Sequence, residues 1–383
     1  MSTRQAQSLH AFIFAGLVII LAIAALVNAR SFRAAAVPDD VIDGRMAHAF
    51  ESHYDEAFPV RTFGISLWAA IDYTLFSEAR SGAVVGKDGW LYTDEEFTVP
   101  NDASNELARN LALISWVHDA LAREGVRMEI AILPAKARVY PEHLRTRMPP
   151  ALHQQLYERA LSHCHGMGIL APDLFAALVD GKRSQPTFLR TDTHWTPFGA
   201  EISAKALAAS ARRVLPKNGR DEFRVEKTGV ETHRGDLLNF LPLEPYFSWL
   251  LPAPEQIEVV RTIRNDAGAS DLLGDAKAPQ VALVGTSYSA EREWNFAGAL
   301  QAALGVDVAT YAKEGQGPFA PMLDYLTGSD FAAARPKLVI WELPERYLLM
   351  HQPLEQYHLP PEAFTIHARN LAPLRKSARQ LQL

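Results

Sequence analysis

An acid and an imidazole lie two residues apart in the segment Leu189–Gly199, directly before a strong helix start. A carboxylate that holds one ring nitrogen of a histidine leaves the other nitrogen free to act as a general base. Asp192 and His194 have this spacing, and in an extended backbone residues i and i+2 point to the same side. Thr196 is a typical N-cap residue and Pro197 is favoured at the first helical position, so we expect both side chains just outside a helix.

The best candidate for a nucleophile is Ser287, which follows the apolar run Val281–Val284 and a glycine. A serine hydroxyl is a weak nucleophile at neutral pH, so it needs a base within hydrogen-bond distance and donors for the oxyanion that develops. Ser287 as nucleophile, His194 as base and Asp192 as orienting acid predict acyl transfer through an acyl-enzyme. Ser289 competes for the role of nucleophile but lies further from the end of the predicted strand.

Further candidates lie in a glycine-rich stretch and beside the predicted triad. The stretch Lys313–Phe319 follows a predicted strand, and Gln316 and Gly317 are the candidate oxyanion donors. It is not a phosphate-binding P-loop, because the Gly-Lys-Ser/Thr ending is absent. The candidate substrate-binding residues are Trp195, Tyr288 and Arg292.

Apolar strands alternate with amphipathic helices after residue 105, a pattern typical of a parallel sheet with helices on both faces. The pattern predicts helices at 105–124, 153–167 and 197–214, and strands at 126–133, 169–170, 280–284, 306–310 and 337–341. Two β-branched residues, a Lys-Asp-Gly turn and two aromatics also predict a hairpin over 83–92. Reactive groups in such α/β folds gather at the carboxyl ends of the strands, where the predicted triad falls.

Composition limits the class of protein and its partners. The chain has 383 residues, 48% of them apolar, which is enough for one large or two modest domains. A formal charge of −6 and no basic stripe interleaved with aromatics exclude a general affinity for nucleic acid. Cys164 is the only cysteine, which excludes an intrachain disulfide and a cysteine-rich metal site.

The chain begins with an apolar stretch, Ala11 to Val27, near the lower end of the ~17–25 residues that span a bilayer. We interpret 1–33 as an uncleaved signal-anchor, with cleavage after export as the alternative. Residues 34–82 read as a linker with short helices. Residues 83–350 read as the catalytic domain, in which 217–278 form an irregular or β insertion, or a lid. Residues 351–383 read as a helical extension.

The chain resembles the alginate O-acetyltransferase family of the AlgJ and AlgX type. The motifs that carry the resemblance are Asp192-Thr-His194-Trp-Thr-Pro, Gly285-Thr-Ser287-Tyr-Ser, the turn Gly315–Gly317, Trp341-Glu-Leu-Pro-Glu-Arg346, Val84-Val-Gly-Lys-Asp-Gly-Trp-Leu-Tyr92 and Leu133-Pro-Ala-Lys-Ala-Arg-Val-Tyr-Pro141. The resemblance spans roughly residues 83–346. Because of the N-terminal apolar stretch, the membrane-anchored AlgJ-like branch is the more similar one.

The resemblance implies an SGNH-hydrolase-like fold with Ser287 as nucleophile, His194 as general base and Asp192 as orienting acid. It implies acetyl transfer to an exported polysaccharide such as alginate, without a cofactor or metal. It also implies a membrane-bound O-acyltransferase (MBOAT) type donor protein and other export-complex subunits as partners. The expected location is the bacterial inner membrane, with a single pass and the catalytic domain in the periplasm.

Three alternatives stay open at the level of sequence. Hydrolysis by an acetylesterase shares the first half-reaction and differs only in the acceptor. A non-catalytic glycan-binding scaffold would use tryptophans as stacking surfaces, namely Trp90, Trp195, Trp294 and Trp341. A metal-dependent hydrolase would use Asp192, His194 and His233 as ligands. A polyanionic glycan would favour Arg138, Arg190 and Arg292, whereas a neutral glycan would not need them.

Overall fold

The computed structural model describes residues 3–32, 38–58, 60–215, 223–265 and 279–365. The chain divides into two compact units, one formed by Met1–Glu78 with Leu241–Leu251 and the other by Ala79–Phe240 with Pro252–Leu383. The part of the predicted helical extension 351–383 that follows residue 365 lies outside the described residues. The predicted triad belongs to the second unit.

The first unit is helical. Its helices are α1 (Thr3–Ser31), α2 (Pro38–Ile42), α3 (Arg45–Ala57) and α4 (Arg61–Ile71), and a π-helical turn at Asp72–Phe76 follows α4. Gly44 separates α2 from α3 with a φ of 80°, a conformation that favours glycine. Within α1, His10–Arg30 is long and apolar enough to cross a membrane, and its large apolar side chains are mostly exposed.

The second unit alternates strands and helices. Its strands are β1 (Ala83–Val85), β2 (Leu91–Thr93), β3 (Arg127–Leu133), β4 (Phe223–His233), β5 (Glu255–Arg264), β6 (Val281–Val284), β7 (Val308–Thr310) and β8 (Leu338–Pro344). Its helices are α5 (Ala103–Arg123), α6 (Lys136–Val139), α7 (Ala151–Gly166), α8 (Leu174–Gly181), α9 (Pro197–Ala211), α10 (Ser287–Ala290), α11 (Phe296–Leu304), α12 (Phe319–Thr327) and α13 (Ser329–Ala333).

A parallel sheet with the strand order β3-β8-β6-β7 forms the centre of this unit. All of β6 and β8 is buried, which agrees with the wholly apolar sequence of β6 and with that of β8, where Glu342 is the one charged residue. Alternate residues of β8 face opposite sides: Leu338 and Ile340 join one core cluster, and Val339 and Trp341 join the other. Helices α8, α9 and α11 cover the first face, while α5, α7 and α12 cover the second.

The predicted elements are present with ends shifted by a few residues, and the predicted α/β class with a parallel sheet is confirmed. The short strand predicted at 169–170 is reduced to an isolated bridge between Leu170 and Glu129. The predicted hairpin forms from β1 and β2, and its turn has positive φ at Asp88 and Gly89. In the described part of the predicted insertion 217–278, β4 and β5 form a second antiparallel hairpin.

Candidate active site

The turn after β6 presents Ser287 as the first residue of α10. The Thr286 side chain caps this short helix by accepting a hydrogen bond from the Tyr288 backbone N–H. Glu342 of the neighbouring strand β8 fixes this turn, because its Oε2 accepts a hydrogen bond from the Thr286 N–H at 2.7 Å. Gly285 is required here, since a Cβ at this position would lie 2.4 Å from Glu342 Oε2.

Ser287, His194 and Asp192 lie in one continuous chain of hydrogen bonds. The His194 Nε2 atom lies 2.7 Å from Ser287 Oγ, and His194 Nδ1 lies 2.7 Å from Asp192 Oδ1. Asp192 and His194 are buried, whereas Ser287 keeps partial exposure to solvent. The structure thus brings together the three residues that the sequence selects for catalysis, with the imidazole placed to take a proton from the hydroxyl.

The segment that carries the acid and the histidine is extended and leads directly into α9. Phe188 and Trp195 form a bridge on either side of the pair, and Thr196 caps α9 by accepting from the Gly199 N–H at 3.1 Å. The local signal in the sequence therefore corresponds to the observed helix start. Gly199 is needed because a Cβ there would lie 2.1 Å from the Thr187 carbonyl oxygen.

Four donors surround the Asp192 carboxylate. Its Oδ1 accepts from His194 twice, through the backbone N–H at 2.8 Å and through ring Nδ1. Its Oδ2 accepts from His233 Nε2 at 2.8 Å and from the Asp236 backbone N–H at 3.0 Å. The two imidazoles thus bind opposite oxygens of one carboxylate. This is a hydrogen-bonded relay, and it differs from the metal-ligand alternative, in which Asp192, His194 and His233 would converge on one point.

This arrangement shifts the pKa values of the acid and both imidazoles. Burial opposes ionisation of Asp192, but the hydrogen bonds from His194 and His233 outweigh it and hold the pKa of Asp192 far below its usual range. Burial likewise opposes protonation of His194, yet the bond to Asp192 leaves the pKa of His194 raised. The hydrogen bond that His233 donates to Asp192 is the main cause of the raised pKa of His233.

A buried ammonium group holds the backbone around Asp192. Lys136 Nζ donates to the carbonyl oxygens of Leu91 at 2.6 Å, Arg190 at 3.0 Å and Asp192 at 2.8 Å. Three donors meet three acceptors, so the charge is fully hydrogen-bonded although Lys136 is buried. Burial lowers the pKa of Lys136 to about 8. Glu96 accepts from the N–H of Lys136 and fixes the start of α6.

Two of the three candidate substrate-binding residues lie inside the protein. Trp195 is 0% and Tyr288 2% exposed, so both support the site from behind and offer no surface to a substrate. The Tyr288 ring lies 4.6 Å from the His194 ring, and its hydroxyl donates to the Thr193 carbonyl oxygen at 2.6 Å. Arg292 is exposed and remains a candidate.

A second carboxylate lies near the His194 Nε2 atom that bonds Ser287. Glu291 Oε1 lies 3.8 Å from His194 Nε2, on the side of the ring that faces Ser287. Burial raises the pKa of Glu291. The Trp294 ring stacks on His194 at 5.4 Å between centroids, with an angle of 23° between the planes. The carboxylate of Glu291 thus lies near Nε2, while the indole of Trp294 stacks on the ring of His194.

The glycine-rich turn lies next to the strand that carries the nucleophile. Lys313 N–H donates to the Gly285 carbonyl oxygen at 3.1 Å, two residues before Ser287. Gln316 and Gly317 line a cleft of about 680 Å³ that continues to the residues after β8. A role for this pair as oxyanion donors stays a prediction.

Other side chains singled out in the sequence have structural partners. Ser289 is buried and donates to Glu342 Oε2 at 3.1 Å, away from the imidazole. Arg138 forms two hydrogen bonds with the Glu345 carboxylate, at 2.9 and 3.1 Å. Its guanidinium is therefore engaged within the protein, which disfavours a role in binding a polyanionic glycan. Cys164 is buried, and burial raises the pKa of its thiol to about 12.

The four tryptophans that the sequence offers as stacking surfaces for a glycan scaffold are not accessible to a sugar. All four that the sequence offers for this role are buried, namely Trp90, Trp195, Trp294 and Trp341. Their burial removes the observation on which that alternative depended, because a sugar can stack only on an exposed ring.

Several residues of the site escape analysis of the sequence, namely Lys136, Asp236, Glu255 and Glu342. Lys136 and Glu342 fall within two of the motifs quoted above, but neither motif shows that its residue contacts the triad segment or the turn before Ser287. The run Thr232-His-Arg-Gly-Asp-Leu-Leu238 is the one local signal, since an imidazole and an acid there flank a glycine.

Comparison with known proteins agrees with this geometry. Residues 83–345 match the family described as "SGNH hydrolase-like domain, acetyltransferase AlgX". The chain is 46% identical over 364 residues to the Pseudomonas aeruginosa protein named "Probable alginate O-acetylase AlgJ", with 93% of each chain covered. It is also 46% identical over 359 residues to the Azotobacter vinelandii protein of the same name, with 92% of each covered.

Solved structures give the same result. The O-acetyltransferase domain of Pseudomonas putida AlgJ superposes with a TM-score of 0.68 at 45% identity, covering 74% of this chain and 97% of that domain. Pseudomonas aeruginosa AlgX superposes with a TM-score of 0.54 at 25% identity, covering 70% of this chain and 63% of AlgX. The chain belongs to the family of SGNH hydrolase-like acetyltransferases of the AlgX type, with AlgJ proteins among its relatives.

Proposed function

We propose that this protein transfers an acetyl group through Ser287 onto hydroxyl groups of an alginate-type polysaccharide. The observation that carries the proposal is the hydrogen-bond chain from Asp192 through His194 to Ser287, with both links at 2.7 Å. This geometry supplies a nucleophile, a base and an orienting acid in one place. The AlgJ relatives, whose name is alginate O-acetylase, support the choice of acceptor.

In the first half-reaction Ser287 Oγ attacks the carbonyl carbon of the acetyl donor. His194 Nε2 takes the hydroxyl proton, and Asp192 stabilises the imidazolium that forms. The tetrahedral intermediate collapses when the donor's leaving group departs with the proton from His194. The product is an acetyl ester on Ser287.

In the second half-reaction a sugar hydroxyl replaces the donor. His194, neutral again, takes the proton of that hydroxyl while its oxygen attacks the acetyl carbon. Collapse releases Ser287, which regains a proton from His194, and the sugar carries the acetyl ester. Water would give hydrolysis by the same route, so preference for the sugar depends on how well water is excluded from the acetyl ester on Ser287. Gln316 and Gly317 are the donors that we assign to the oxyanion.

The apolar helix α1 supports a location at the bacterial inner membrane. Its stretch His10–Arg30 has the length and composition of a single-pass span. We propose that it anchors the chain with the catalytic unit in the periplasm, where an exported polysaccharide is accessible. A partner of the MBOAT type would supply the acetyl group, and other subunits of an alginate export complex would supply the polymer.

The test uses the full chain in detergent with 4-nitrophenyl acetate as acetyl donor. We expect a Ser287→Ala variant to lose turnover, and we expect wild type to acetylate oligomannuronate but not cellopentaose. Turnover of the variant at the wild-type rate would contradict the role of Ser287. Release of acetate at an unchanged rate when oligomannuronate is present, with no acetylated sugar, would favour an esterase instead.

A further inference from the structure

The base of the β4–β5 hairpin contacts the segment that carries Asp192. His233 at the end of β4 lies opposite Glu255 at the start of β5. Glu255 Oε1 accepts from the Arg190 N–H at 2.6 Å, and Oε2 accepts from the Thr191 N–H and hydroxyl, both at 2.8 Å. A single carboxylate thus fixes two consecutive residues directly before Asp192.

The residues that follow β4 hold the same segment from its other end. Asp236 Oδ1 accepts from the Thr193 N–H at 2.8 Å, and the Asp236 N–H donates to Asp192 Oδ2 at 3.0 Å. Gly235 lies so close that a Cβ there would come within 2.1 Å of the Thr191 carbonyl oxygen. The hairpin base therefore contacts residues 190–193 through the side chains of Glu255 and Asp236, the Asp236 N–H and the close approach of Gly235.

We propose that the base of the β4–β5 hairpin is the positioning element of the acid–histidine segment, and that His233 is the positioning residue that sets the orientation of the Asp192 carboxylate. This inference rests on the proposed function, in which Asp192 orients the base of an acyl-transfer triad. His233 bonds Asp192 and not Ser287, so it acts on the reaction through Asp192.

The need for such a residue follows from the torsional freedom of aspartate. The terminal torsion of an Asp side chain is broad, so the donors around a carboxylate decide how it is turned. Oδ1 of Asp192 faces His194, and Oδ2 is held by His233 Nε2 at 2.8 Å. The His233 side chain is only 17% exposed and meets the Trp294 ring edge to face at 5.5 Å. This packing limits the rotation of the His233 ring, whose Nε2 donates the hydrogen bond.

The charges around His233 also couple it to His194. His233 faces the carboxylates of Asp192, Asp236 and Glu255, while Lys136 binds the Asp192 carbonyl oxygen. Both imidazoles draw on the charge of Asp192, one at each oxygen. Without His233, one fewer donor shares the negative charge of Asp192, so the carboxylate attracts the proton of His194 more strongly. The protonated form of His194 therefore becomes more favourable.

Two substitutions separate the hydrogen bond from the space that the ring fills. His233→Leu removes the donor, whereas His233→Gln places an amide N–H near the position of Nε2. A matched control is His118→Leu, because His118 also binds a carboxylate, that of Asp119 at 3.1 Å, but on the surface of α5. All three are compared with wild type as full chains in detergent.

The first readout is the steady-state turnover of 4-nitrophenyl acetate against pH. We expect His233→Leu to lower kcat by about 10- to 100-fold with little change in KM, a loss similar to that seen when a group that orients a metal-binding histidine is removed. His233→Gln should restore most of kcat, and His118→Leu should match wild type. The acid limb of the profile should move to higher pH in His233→Leu. A purely space-filling role would leave that limb in place.

The second readout needs no turnover. In chains labelled with ¹⁵N-histidine, the ring nitrogens of His194 report its pKa by NMR, and we expect that pKa to rise in His233→Leu. An unchanged or lowered pKa of His194, or equal losses of kcat in the Leu and Gln variants, would overturn the inference. Failure of the proposed function shows differently, because Ser287→Ala would then keep its activity while the His194 titration still decides the role of His233.

Discussion

Asp192 is the residue on which the chemistry of the site converges. Four N–H donors share its two oxygens, and two of those donors belong to imidazoles. Hydrogen bonds to the charged form explain why it stays ionised although it is buried. The ionised carboxylate in turn keeps the pKa of His194 raised. A fixed negative charge is thus held where an imidazolium must form during acyl transfer.

Replacement of Asp192 by Asn should impair catalysis strongly. The amide NH₂ group must face one pair of donors, either those of His194 or those of His233 and Asp236, so one backbone N–H loses its acceptor. We expect turnover of 4-nitrophenyl acetate to fall by about 10³- to 10⁴-fold, as in serine protease triads. Asp180→Asn, at an exposed pair with Arg183, is the control and should leave turnover unchanged. A fall of less than tenfold for Asp192→Asn would contradict this account.

The two raised histidine pKa values also predict how stability depends on pH. A group whose pKa is raised on folding stabilises the fold below its unfolded pKa, about 6.5 for histidine, and this contribution is lost as pH rises through the folded value. We therefore expect the contribution of His194 and His233 to the thermal unfolding midpoint to fall from about pH 6 to about pH 8, in the opposite sense to that of the buried His153 and His163, whose pKa values are lowered. In Asp192→Asn the fall should be smaller, because both shifts depend on that carboxylate. Equal falls in the two proteins would refute this assignment.

At the scale of elements, three separate parts of the chain place the triad. The turn after β6 presents Ser287, the extended segment before α9 presents Asp192 and His194, and the β4–β5 hairpin braces that segment. Glu342 of β8 fixes the first turn, since Thr286 donates to it through both backbone and side chain. Each chemical group therefore depends on an element that is distant in the sequence.

Local signals in the sequence predict part of this arrangement. The helix start at Thr196 and Pro197 and the strand–glycine pattern before Ser287 are each encoded by adjacent residues. Their positions can therefore be predicted from the sequence alone. The contacts of His233, Glu255 and Lys136 join residues tens of positions apart and follow no period. Their partners become visible only when the sheet order and the hairpin are known.

The close approach at Gly235 gives a test at this scale. Gly235→Ala places a methyl group against the Thr191 carbonyl oxygen, 2.1 Å from the ideal Cβ, and the hairpin base must shift. We expect turnover to fall by at least tenfold and stability to decrease by about 1–3 kcal/mol. Gly229→Ala, within β4 and with no atom within 4 Å of its Cβ, is the control. Wild-type turnover in Gly235→Ala would show that the hairpin base does not position the triad.

At the scale of the whole molecule, hydrophobic patterning predicts the α/β class. The predominantly apolar runs of β3, β6 and β8 indicate strands buried on both faces, and the two core clusters lie on opposite faces of the sheet. The boundaries of helices are predicted less well, because tertiary contacts decide where a helix ends.

The apolar helix α1 makes a separate prediction about the whole chain. If it is an uncleaved anchor, the intact mass of the protein from the membrane fraction includes residues 1–33, and an alkaline wash leaves it there. Replacing Ile19 and Ile20 with Arg, at about +2.5 to +3.5 kcal/mol each near a helix centre, should move the protein out of the membrane fraction. A mature chain that begins after Ala29 or Ala36 would show that the segment is cleaved.

The central claim is that Ser287 carries the acetyl group between donor and polysaccharide. Peptide mass spectrometry of the full chain, quenched in acid after incubation with 4-nitrophenyl acetate, tests this most directly. We predict one added acetyl group on the peptide that contains Ser287, lost on addition of oligomannuronate with the appearance of acetylated sugar. An acetyl group found on another residue, or an unmodified Ser287 during active turnover, would contradict the account.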